Sequence, residues 1–573
     1  MFAILVLFCV FSRLDALTFL RKHEENKNYQ VRTSNGLIQG SMEKSENGVS
    51  YYSFMGIPYA QPPVGDLRFR DPKPLTSWSG VLNTTSQGPC CAGFDTLKLK
   101  NFELLPYGSE DCLYLNVFTP TIYRANNSHK PLPVMVYFVG GAFFTACPLR
   151  FIFGPDYFME NEAVLVTLAS RTSMFGYMST EDMECPGNWA TKDQIAALKW
   201  VKTNIRNFGG DSKKVVIFGQ SAGASNVNTL LVAPKAKGLF QGAIMQSGSN
   251  LCPWAFQATP RKIAFDIGMS LGITTNSSKE LLRIFRSLPS EDLMKAQILA
   301  FMANTAQILT TGLAFAPVIE PRHENAAITD YTYDIMRKGN FNKVPVILGI
   351  NSLEIKYFEG LVNLAKMPVL FLADLSPGTL VRFTNSIQKK TDAGNQIASY
   401  FTGSRTFLAL TQQEVLKYLS EDMYVRPMRK TASLLSEHTA VYFYYFSYEG
   451  DLALQGCRFM VGNYDRNVKG VGHAEDIFYQ FKANFTDPAS INDQLTIKRL
   501  TKLWINLAKT GNPTPRRDKG LNNVRWPTVS GARFPYLEIN KNLVVHAENF
   551  DEENNRFWEK LYEKYADRPY KVY

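Results

Sequence analysis

The chain has 573 residues, of which 45% are hydrophobic and 13% aromatic, and its formal net charge is +11. Basic residues are interleaved with acidic ones and no basic block stands out, so nucleic acid is not an expected partner. No repeat, low-complexity tract or linker interrupts the sequence, and we expect one large domain over residues 17–573.

Residues 1–16 have the pattern of a secretory signal peptide. The apolar run at 2–11 is too short to span a bilayer and Ala16 is a small residue at a suitable cleavage position, although the usual early Lys or Arg is missing. No later apolar run is long enough for a membrane anchor, so we expect a secreted, extracellular protein. Glycosylation sequons agree with this and lie at Asn83, Asn126, Asn276 and Asn484.

Apolar runs in the first third of the chain predict β-strands. Residues 36–40 and 51–55 are predicted to form short antiparallel strands around a polar turn. Longer apolar runs predict buried strands at 113–118, 133–139 and 163–168.

The middle of the chain alternates predicted helices with predicted strands. A helix is expected at 192–207, and strands are expected at 215–218 and 242–245. Such alternation predicts the α/β class, with a mostly parallel sheet covered on both faces. Apolar residues at helical spacing over 253–314 predict an insert that either caps a site or provides packing for one.

The last part of the chain continues the same pattern. Strands are predicted at 344–350 and 440–445, and a glycine-rich loop at 463–476. The tail at 504–558 is predicted to hold a helix and hairpin-like strands.

The motif Gly219-Gln-Ser-Ala-Gly223 lies between a predicted strand and a predicted helix. This is the context of a nucleophile elbow, where a tight turn holds Ser221 in strained geometry with its hydroxyl exposed at the sheet edge. The two glycines stand where side chains would block the turn. The five letters alone could occur by chance in any glycine-containing loop, but the strand before and the helix after favour the elbow.

A serine nucleophile needs a general base, and the chain has six histidines. His473 is the best candidate because its flanking glycines, Gly470 and Gly472, would let the ring reach the serine. The alternative is a surface histidine bonded to Glu475 or Asp476. The other five lie near the signal, in polar loops or at element ends, at His23, His129, His323, His438 and His546.

The third member of such a triad orients the imidazole and stabilises its cation. Glu354 follows the predicted strand at 344–350, and the carboxyl ends of parallel strands are where catalytic groups lie in these sheets. Glu320 and Glu359 are the nearby competitors.

A tetrahedral intermediate needs backbone donors aimed at its oxyanion. Gly140 and Gly141 follow a predicted central strand, at the place of the HGGG-type loop that accompanies a nucleophile elbow. The expected donors are the N–H groups of Gly141, Ala142 and Ala222, although paired glycines after a strand are also ordinary turn residues.

Together these motifs resemble the carboxylesterase/cholinesterase family of α/β hydrolases, over nearly the whole chain after the signal. The most specific are GSEDCLYLNVFTP at 108–120, CPGNWATKDQIAALKWV at 185–201 and GVGHAEDIFY at 470–479. The resemblance implies an α/β-hydrolase fold with helical insertions over the site. It also implies the triad of Ser221, Glu354 and His473, in agreement with the candidates above.

The cysteines are partly explained by the resemblance. Eight are present, and one of them, Cys9, lies in the predicted signal, so the remaining seven are an odd number. The resemblance implies a disulfide between Cys91 and Cys112. Cys252 stands where the family usually begins a second disulfide, but no partner follows within the next dozen residues.

The chain departs from the family pattern at four positions near the expected site. Val139 replaces a usual His or Tyr, Ala142 replaces the third glycine of the loop, and Ile355 replaces the glycine after the acid. Gln220 replaces the commoner Glu beside the nucleophile. Gln220, with other motifs, resembles the pattern of juvenile hormone esterases, although other insect-like esterases share most of it.

We therefore expect a secreted serine carboxylesterase that hydrolyses neutral, apolar esters through an acyl-enzyme on Ser221, with no metal or other cofactor. The loop at 92–111 contains no Trp to bind a quaternary ammonium, so a choline ester is not the expected substrate. The alternative is a catalytically silent adhesion or binding relative. Such relatives usually lack the serine or histidine and carry a membrane anchor.

Overall fold

The computed structural model describes residues 29–94, 105–123, 130–303, 312–356, 373–403, 406–461, 468–531 and 533–573. The predicted signal peptide at 1–16, the sequon at Asn126 and the alternative acid Glu359 lie outside the described residues.

Sixteen strands occur in the described part of the chain. In chain order they are β1 Gln30–Arg32, β2 Leu37–Gln39, β3 Ser41–Lys44, β4 Ser50–Pro58, β5 Val81–Asn83, β6 Gly93–Phe94, β7 Pro106–Tyr107, β8 Tyr114–Thr119, β9 Leu132–Phe138, β10 Val164–Leu168, β11 Gly210–Gln220, β12 Gly242–Gln246, β13 Val346–Asn351, β14 Val441–Phe446, β15 Tyr536–Ile539 and β16 Leu543–His546. Eleven form one sheet in the order β16-β15-β14-β13-β12-β11-β9-β10-β8-β4-β3. The run from β15 to β10 is parallel, and antiparallel strands extend it at both ends.

The α-helices of the described residues lie between these strands. They are Asp156–Met159, Ser173–Tyr177, Trp189–Asn204, Ala222–Val232, Pro260–Ser270, Ser278–Ser287, Ser290–Ala303, Thr332–Arg337, Ile387–Thr402, Gln412–Ser420, Arg426–Ser436, Asp451–Val461, Ile491–Thr510 and Glu552–Tyr565. None of the helices described is long and apolar enough to cross a membrane.

The central strands are apolar along their whole length because helices cover both faces of the sheet. Alternate residues of β9 enter different cores: Val134 and Val136 face one, and Met135 and Tyr137 face the other. The first core includes the helix Trp189–Asn204, and the second includes the helix Ile491–Thr510. The predicted α/β class, with an α/β-hydrolase sheet, is confirmed.

The predicted pairing near the N-terminus is wrong. Residues 36–40 contain β2, which pairs with β1 and β5 in a small separate sheet, whereas residues 51–55 belong to β4 in the large sheet. The reason is that β3 lies between them and takes β4 as its own hairpin partner. A tight turn closed by the bond from Ser45 N to Val49 O joins the two strands of that hairpin.

The helical insert lies against the carboxyl ends of the central strands. Its helices Pro260–Ser270, Ser278–Ser287 and Ser290–Ala303 contribute buried side chains to a third core. That core also contains Ala222, the residue after the candidate nucleophile, and Phe143. The insert therefore packs beside the candidate site.

Candidate active site

Ser221 occupies the turn between β11 and the helix Ala222–Val232. Its φ of 60° and ψ of −127° lie in a region that residues with a Cβ rarely adopt. Two backbone bonds hold the turn: Ser221 N donates to Gln246 O at 2.8 Å, and Ser225 N donates to Ser221 O at 3.0 Å. Such strained residues cluster at functional sites, where the surrounding structure enforces them.

The two glycines of the motif are required by backbone packing. A Cβ on Gly223 would lie 2.1 Å from the carbonyl oxygen of Phe138, the last residue of β9. A Cβ on Gly219 would lie 2.5 Å from the carbonyl oxygen of Gly223. The elbow can therefore press against β9 only because neither residue carries a side chain.

Half-buried His473 pairs with buried Glu354. The ring Nδ1 lies 2.7 Å from Glu354 Oε2, and His473 N donates to Glu354 O at 3.1 Å. The Glu354 side chain is fully buried, and its other oxygen accepts a hydrogen bond from Asn351 N at 2.7 Å. The carboxylate is thus held in one orientation and faces one edge of the imidazole.

The loop that carries His473 is fastened to the loop that carries Glu354. Asn351 Nδ2 donates to Gly472 O at 2.8 Å, and Val471 N donates to Ser352 Oγ at 2.8 Å. Lys356, which is buried, donates from Nζ to Gly470 O at 2.6 Å. These bracing residues were not predicted; only the position of Asn351 and Ser352 at the end of a strand pointed to this region.

The other ring nitrogen of His473 points to the elbow. Its Nε2 lies 3.0 Å from Nε2 of Gln220, the neighbour of Ser221. On the ring face, Tyr424 packs with its ring centroid 4.8 Å from that of the imidazole. The structure therefore brings the three predicted residues Ser221, Glu354 and His473 to one place.

The glycine loop after β9 lies directly against the elbow. A Cβ on Gly140 would be only 3.3 Å from Ser221 Cβ. Gly141 has a φ of 136°, and Ala142 and Phe143 follow with φ of 51° and 64°. A turn closes behind them, where Phe144 N donates to Gly141 O at 2.9 Å. The loop that supplies two of the three candidate oxyanion donors is thus adjacent to the serine.

The two apolar residues that depart from the family pattern, Val139 and Ile355, both pack in buried cores. Val139 is buried in the core that contains Tyr137, and Ile355 is buried in the core that contains Tyr424. Ile355 N donates to Ser420 Oγ at 3.2 Å, which ties the residue after Glu354 to a neighbouring helix.

A second buried carboxyl, Asp476, lies behind the pair. It accepts hydrogen bonds from Gln246 Nε2 at 2.6 Å, Tyr444 Oη at 3.3 Å and Asn351 Nδ2 at 3.4 Å. Burial is the largest cause that raises the pKa of Asp476 to about 6, and the nearby charge of Glu354 acts in the same direction.

Two disulfides lie beside the site. Cys91 is bonded to Cys112, the pair that the family resemblance implied, and Cys90 is bonded to Cys147, a pair that the sequence left open. Cys185 and Cys252 are buried thiols outside any disulfide, and Cys457 is also buried.

The remaining candidates among the described residues lie elsewhere, and His23 and His129 are outside the described residues. Glu320 is buried in an ion pair with Lys192, 2.9 Å away. His323 lies beside Glu320, and His438 and His546 bond to Arg337 O and Glu538. The sequon asparagines among the described residues, Asn83, Asn276 and Asn484, are exposed.

A mostly parallel sheet with a serine in a strand–turn–helix elbow after a central strand is the architecture of the α/β hydrolases. The chain belongs to the carboxylesterase family, whose sequence model matches residues 27–558.

Individual relatives cover most of the chain. It is 31% identical over 543 residues to a juvenile hormone esterase of Tribolium castaneum, covering 89% of this chain and 88% of the relative. It is 32% identical over 512 residues to esterase FE4 of Myzus persicae, covering 87% of each. Among solved structures, a juvenile hormone esterase from Manduca sexta with OTFP covalently attached matches with a TM-score of 0.80 and 26% identity, over 93% of this chain and 99% of that one.

Proposed function

We propose that this protein is a secreted serine carboxylesterase in which Ser221 is the nucleophile, His473 the general base and Glu354 the residue that orients it. The observation that carries the proposal is the 2.7 Å contact between His473 and the buried Glu354, next to a serine with strained backbone geometry. Family membership supports ester hydrolysis as the reaction. A catalytically silent relative is the alternative, and the presence of all three residues argues against it.

In the acylation step, Ser221 Oγ bonds to the carbonyl carbon of the ester while His473 Nε2 takes the hydroxyl proton. The carbonyl oxygen becomes an oxyanion, which the N–H groups of Gly141, Ala142 and Ala222 stabilise. When the carbonyl re-forms, the bond to the alcohol oxygen breaks and His473 gives its proton to that oxygen. The products are a free alcohol and an acyl-enzyme.

Water then completes the cycle by the same route. His473 takes a proton from water as the water oxygen attacks the acyl carbon, and the proton passes to Ser221 Oγ when the ester bond to the enzyme breaks. Glu354 is buried and aligned with Nδ1, so it stabilises the imidazolium in both steps without accepting its proton.

We propose neutral, apolar esters as the substrate class. The residue beside the nucleophile is the uncharged Gln220, and aromatic side chains pack around the base, including Tyr424 and, against it, Trp254. Burial of an unpaired ammonium in such surroundings is costly. We expect kcat/KM for a neutral medium-chain ester to exceed that for the matching choline ester by about tenfold or more. Equal or faster turnover of the choline ester would show that this substrate class is wrong.

Secretion is part of the proposal. Two disulfides are typical of chains that fold in an oxidising compartment, and the sequons at Asn83, Asn276 and Asn484 are exposed as glycan attachment requires. Expression in a secreting eukaryotic host tests it: N-terminal sequencing of protein from the medium should begin after Ala16, and an N-glycosidase should lower its mass.

The direct test is labelling with an organophosphate, followed by peptide mapping of the adduct to Ser221. Ser221→Ala and His473→Ala should each lower kcat by about a millionfold, because nucleophile and base act as one unit, and Glu354→Gln should cost somewhat less. All three variants should fold, which circular dichroism checks. Substantial activity in Ser221→Ala, or an adduct on another residue, would refute the assignment. The esters tested for turnover should include juvenile hormone, since two of the relatives are named as juvenile hormone esterases.

A further inference from the structure

The Cys90–Cys147 disulfide attaches to the far end of the glycine loop. This loop leaves β9 at Phe138, carries the candidate donors Gly141 and Ala142, and reaches Cys147 after one turn. The bond joins residues 57 positions apart in the sequence. It is therefore a long-range restraint placed within six residues of the candidate oxyanion site.

The restraint continues into the central sheet. Cys90 is followed by Cys91, which is bonded to Cys112, and Cys112 lies fully buried just before β8. A continuous covalent path thus runs from the end of the loop at Cys147 through two disulfides to β8. The loop is held by β9 at one end and by this path at the other.

The segment that contains Cys90 also touches the loop directly. Phe94 N donates to Phe144 O at 3.2 Å, and a Cβ on Gly93 would lie 2.1 Å from the same oxygen. From the other side, Ser173 N donates to Phe143 O at 2.8 Å. The turn behind the candidate donors is therefore packed between two backbones, one of which the disulfide fixes.

This loop needs restraint more than a glycine-rich loop does. Ala142 and Phe143 both have a positive φ, of 51° and 64°. The left-handed region is unfavourable for residues with a Cβ, so the two residues would tend to leave it if the surrounding contacts loosened. Their departure would change the direction of the Ala142 N–H group, one of the candidate oxyanion donors.

We propose that Cys90 and Cys147 are positioning residues for ester hydrolysis: their disulfide holds the strained glycine loop so that the N–H groups of Gly141 and Ala142 stay aimed at the oxyanion. The inference rests on the proposed function of Ser221. It assigns to this disulfide an effect on the transition state, beyond stabilising the fold.

The test compares wild-type protein with the double variant Cys90→Ser/Cys147→Ser. Loss of an interaction made only in the transition state lowers kcat and leaves KM nearly unchanged. We expect kcat to fall by about tenfold or more while KM stays within about threefold. The inhibition constant of a trifluoromethyl ketone, which forms a hemiketal oxyanion on the serine, should rise by the same factor as kcat/KM falls.

Two further variants separate positioning from general loosening. Cys185→Ser alters a buried thiol that belongs to no disulfide and should leave kcat and KM at wild-type values. Adding Ala142→Gly to the double variant should restore part of the lost kcat, because glycine adopts a positive φ without strain. An unchanged kcat in the double variant, or a rise in KM alone, would overturn the proposal.

If the double variant is not secreted, stepwise reduction of the wild-type protein replaces it. Dithiothreitol converts the disulfide to two thiols and is itself oxidised to its cyclic disulfide; alkylation and peptide mapping then give the reduced fraction of each cysteine. The proposal requires kcat to fall in step with alkylation of Cys90 and Cys147. The proposal is overturned if kcat falls in step with alkylation of Cys112 instead, or if activity persists when Cys90 is fully alkylated. Failure of the proposed function would show separately, as absence of hydrolysis and of Ser221 labelling in untreated protein.

Discussion

Gly223→Ala is a sharp test of the elbow because it adds one methyl group at a place enclosed by backbone. The new Cβ would lie 2.1 Å from the carbonyl oxygen of Phe138 and 3.1 Å from N of Gly140. Alanine has no side-chain torsion that could relieve the contact, and neither obstacle is a side chain. The elbow and the start of the glycine loop must therefore move apart.

The size of the effect follows from these distances. Ordinary contact begins at 3.4 Å, so the atoms must separate by 3.4 − 2.1 = 1.3 Å. Overpacking of this kind costs about 1–3 kcal/mol, and a backbone obstacle places it at the upper end. Alanine regains at most about 1 kcal/mol as the better helix former, which leaves a net loss of about 2 kcal/mol. A displacement of about 1 Å between nucleophile and oxyanion donors lowers kcat by about a hundredfold.

The assay is kcat/KM for a neutral ester together with the melting temperature. Gly520→Ala is the matched control: Gly520 is exposed, and its added Cβ would meet only the flexible side chains of Asp518 at 3.1 Å and Lys502 at 3.6 Å. The control should keep wild-type values for both quantities, whereas Gly223→Ala should lose activity and melt a few degrees lower. Gly223→Ala with wild-type activity and stability would show that the close approach of the elbow to β9 is not a requirement.

Three further predictions concern buried groups around the site. Burial raises the pKa of Asp476 to about 6, whereas the carboxyl of the unfolded chain titrates near its ordinary pKa of 3.8. The folded protein therefore binds this proton more tightly, and the stability that the proton contributes is lost as the pH rises through 6. Asp476→Asn cannot lose this proton, so the melting temperature of the variant minus that of wild type should be higher at about pH 7.5 than at about pH 4.5. A difference that does not change with pH would contradict this. Lys356→Met should remove the 2.6 Å bond to Gly470 O and the ammonium that lies 3.6 Å from Glu475. We expect the free energy of unfolding in urea to fall by about 3 kcal/mol. An unchanged unfolding midpoint would argue against a role of Lys356 in bracing the loop. Iodoacetamide should leave Cys185 and Cys252 unmodified in the native protein and should modify both after unfolding without reductant, because burial keeps them from the reagent and raises the pKa of each thiol to about 12. Peptide mass spectrometry checks this, and modification of either thiol in the native state would contradict the fold around it.

The features that local sequence could predict are those whose chemistry lies within a few residues. The elbow around Ser221 is one, because a β-branched run, two glycines and a helix follow one another directly. Glu354 and His473 could also be named as candidates from the sequence, since one follows a strand and the other follows two nearby glycines. The structure brings these residues together although 119 positions separate the acid from the base.

The features that could not be predicted depend on distant partners. Cys90 and Cys91 are adjacent and chemically identical, so the family resemblance and not local chemistry assigned Cys91 to Cys112, and nothing in the sequence indicated that Cys147 bonds to Cys90. The prediction for β4 was wrong for the same reason: its hairpin partner is β3, whose polar sequence gave only a weak strand signal. Lys356 gave no signal, since a buried lysine is recognisable only from the carbonyl it meets.

The contact between Gln220 and His473 joins the elbow to the ring nitrogen that acts as the base in the proposed reaction. In the tautomer whose Nδ1–H donates to Glu354 Oε2, 2.7 Å away, Nε2 carries a lone pair. The amide of Gln220 donates to this lone pair at 3.0 Å, which a glutamate at the same position could not do when ionised. A lone pair at Nε2 is what a general base requires. In the proposed reaction the Gln220 bond must break as Nε2 takes the proton of Ser221, and the carboxylate of Glu354 then stabilises the imidazolium.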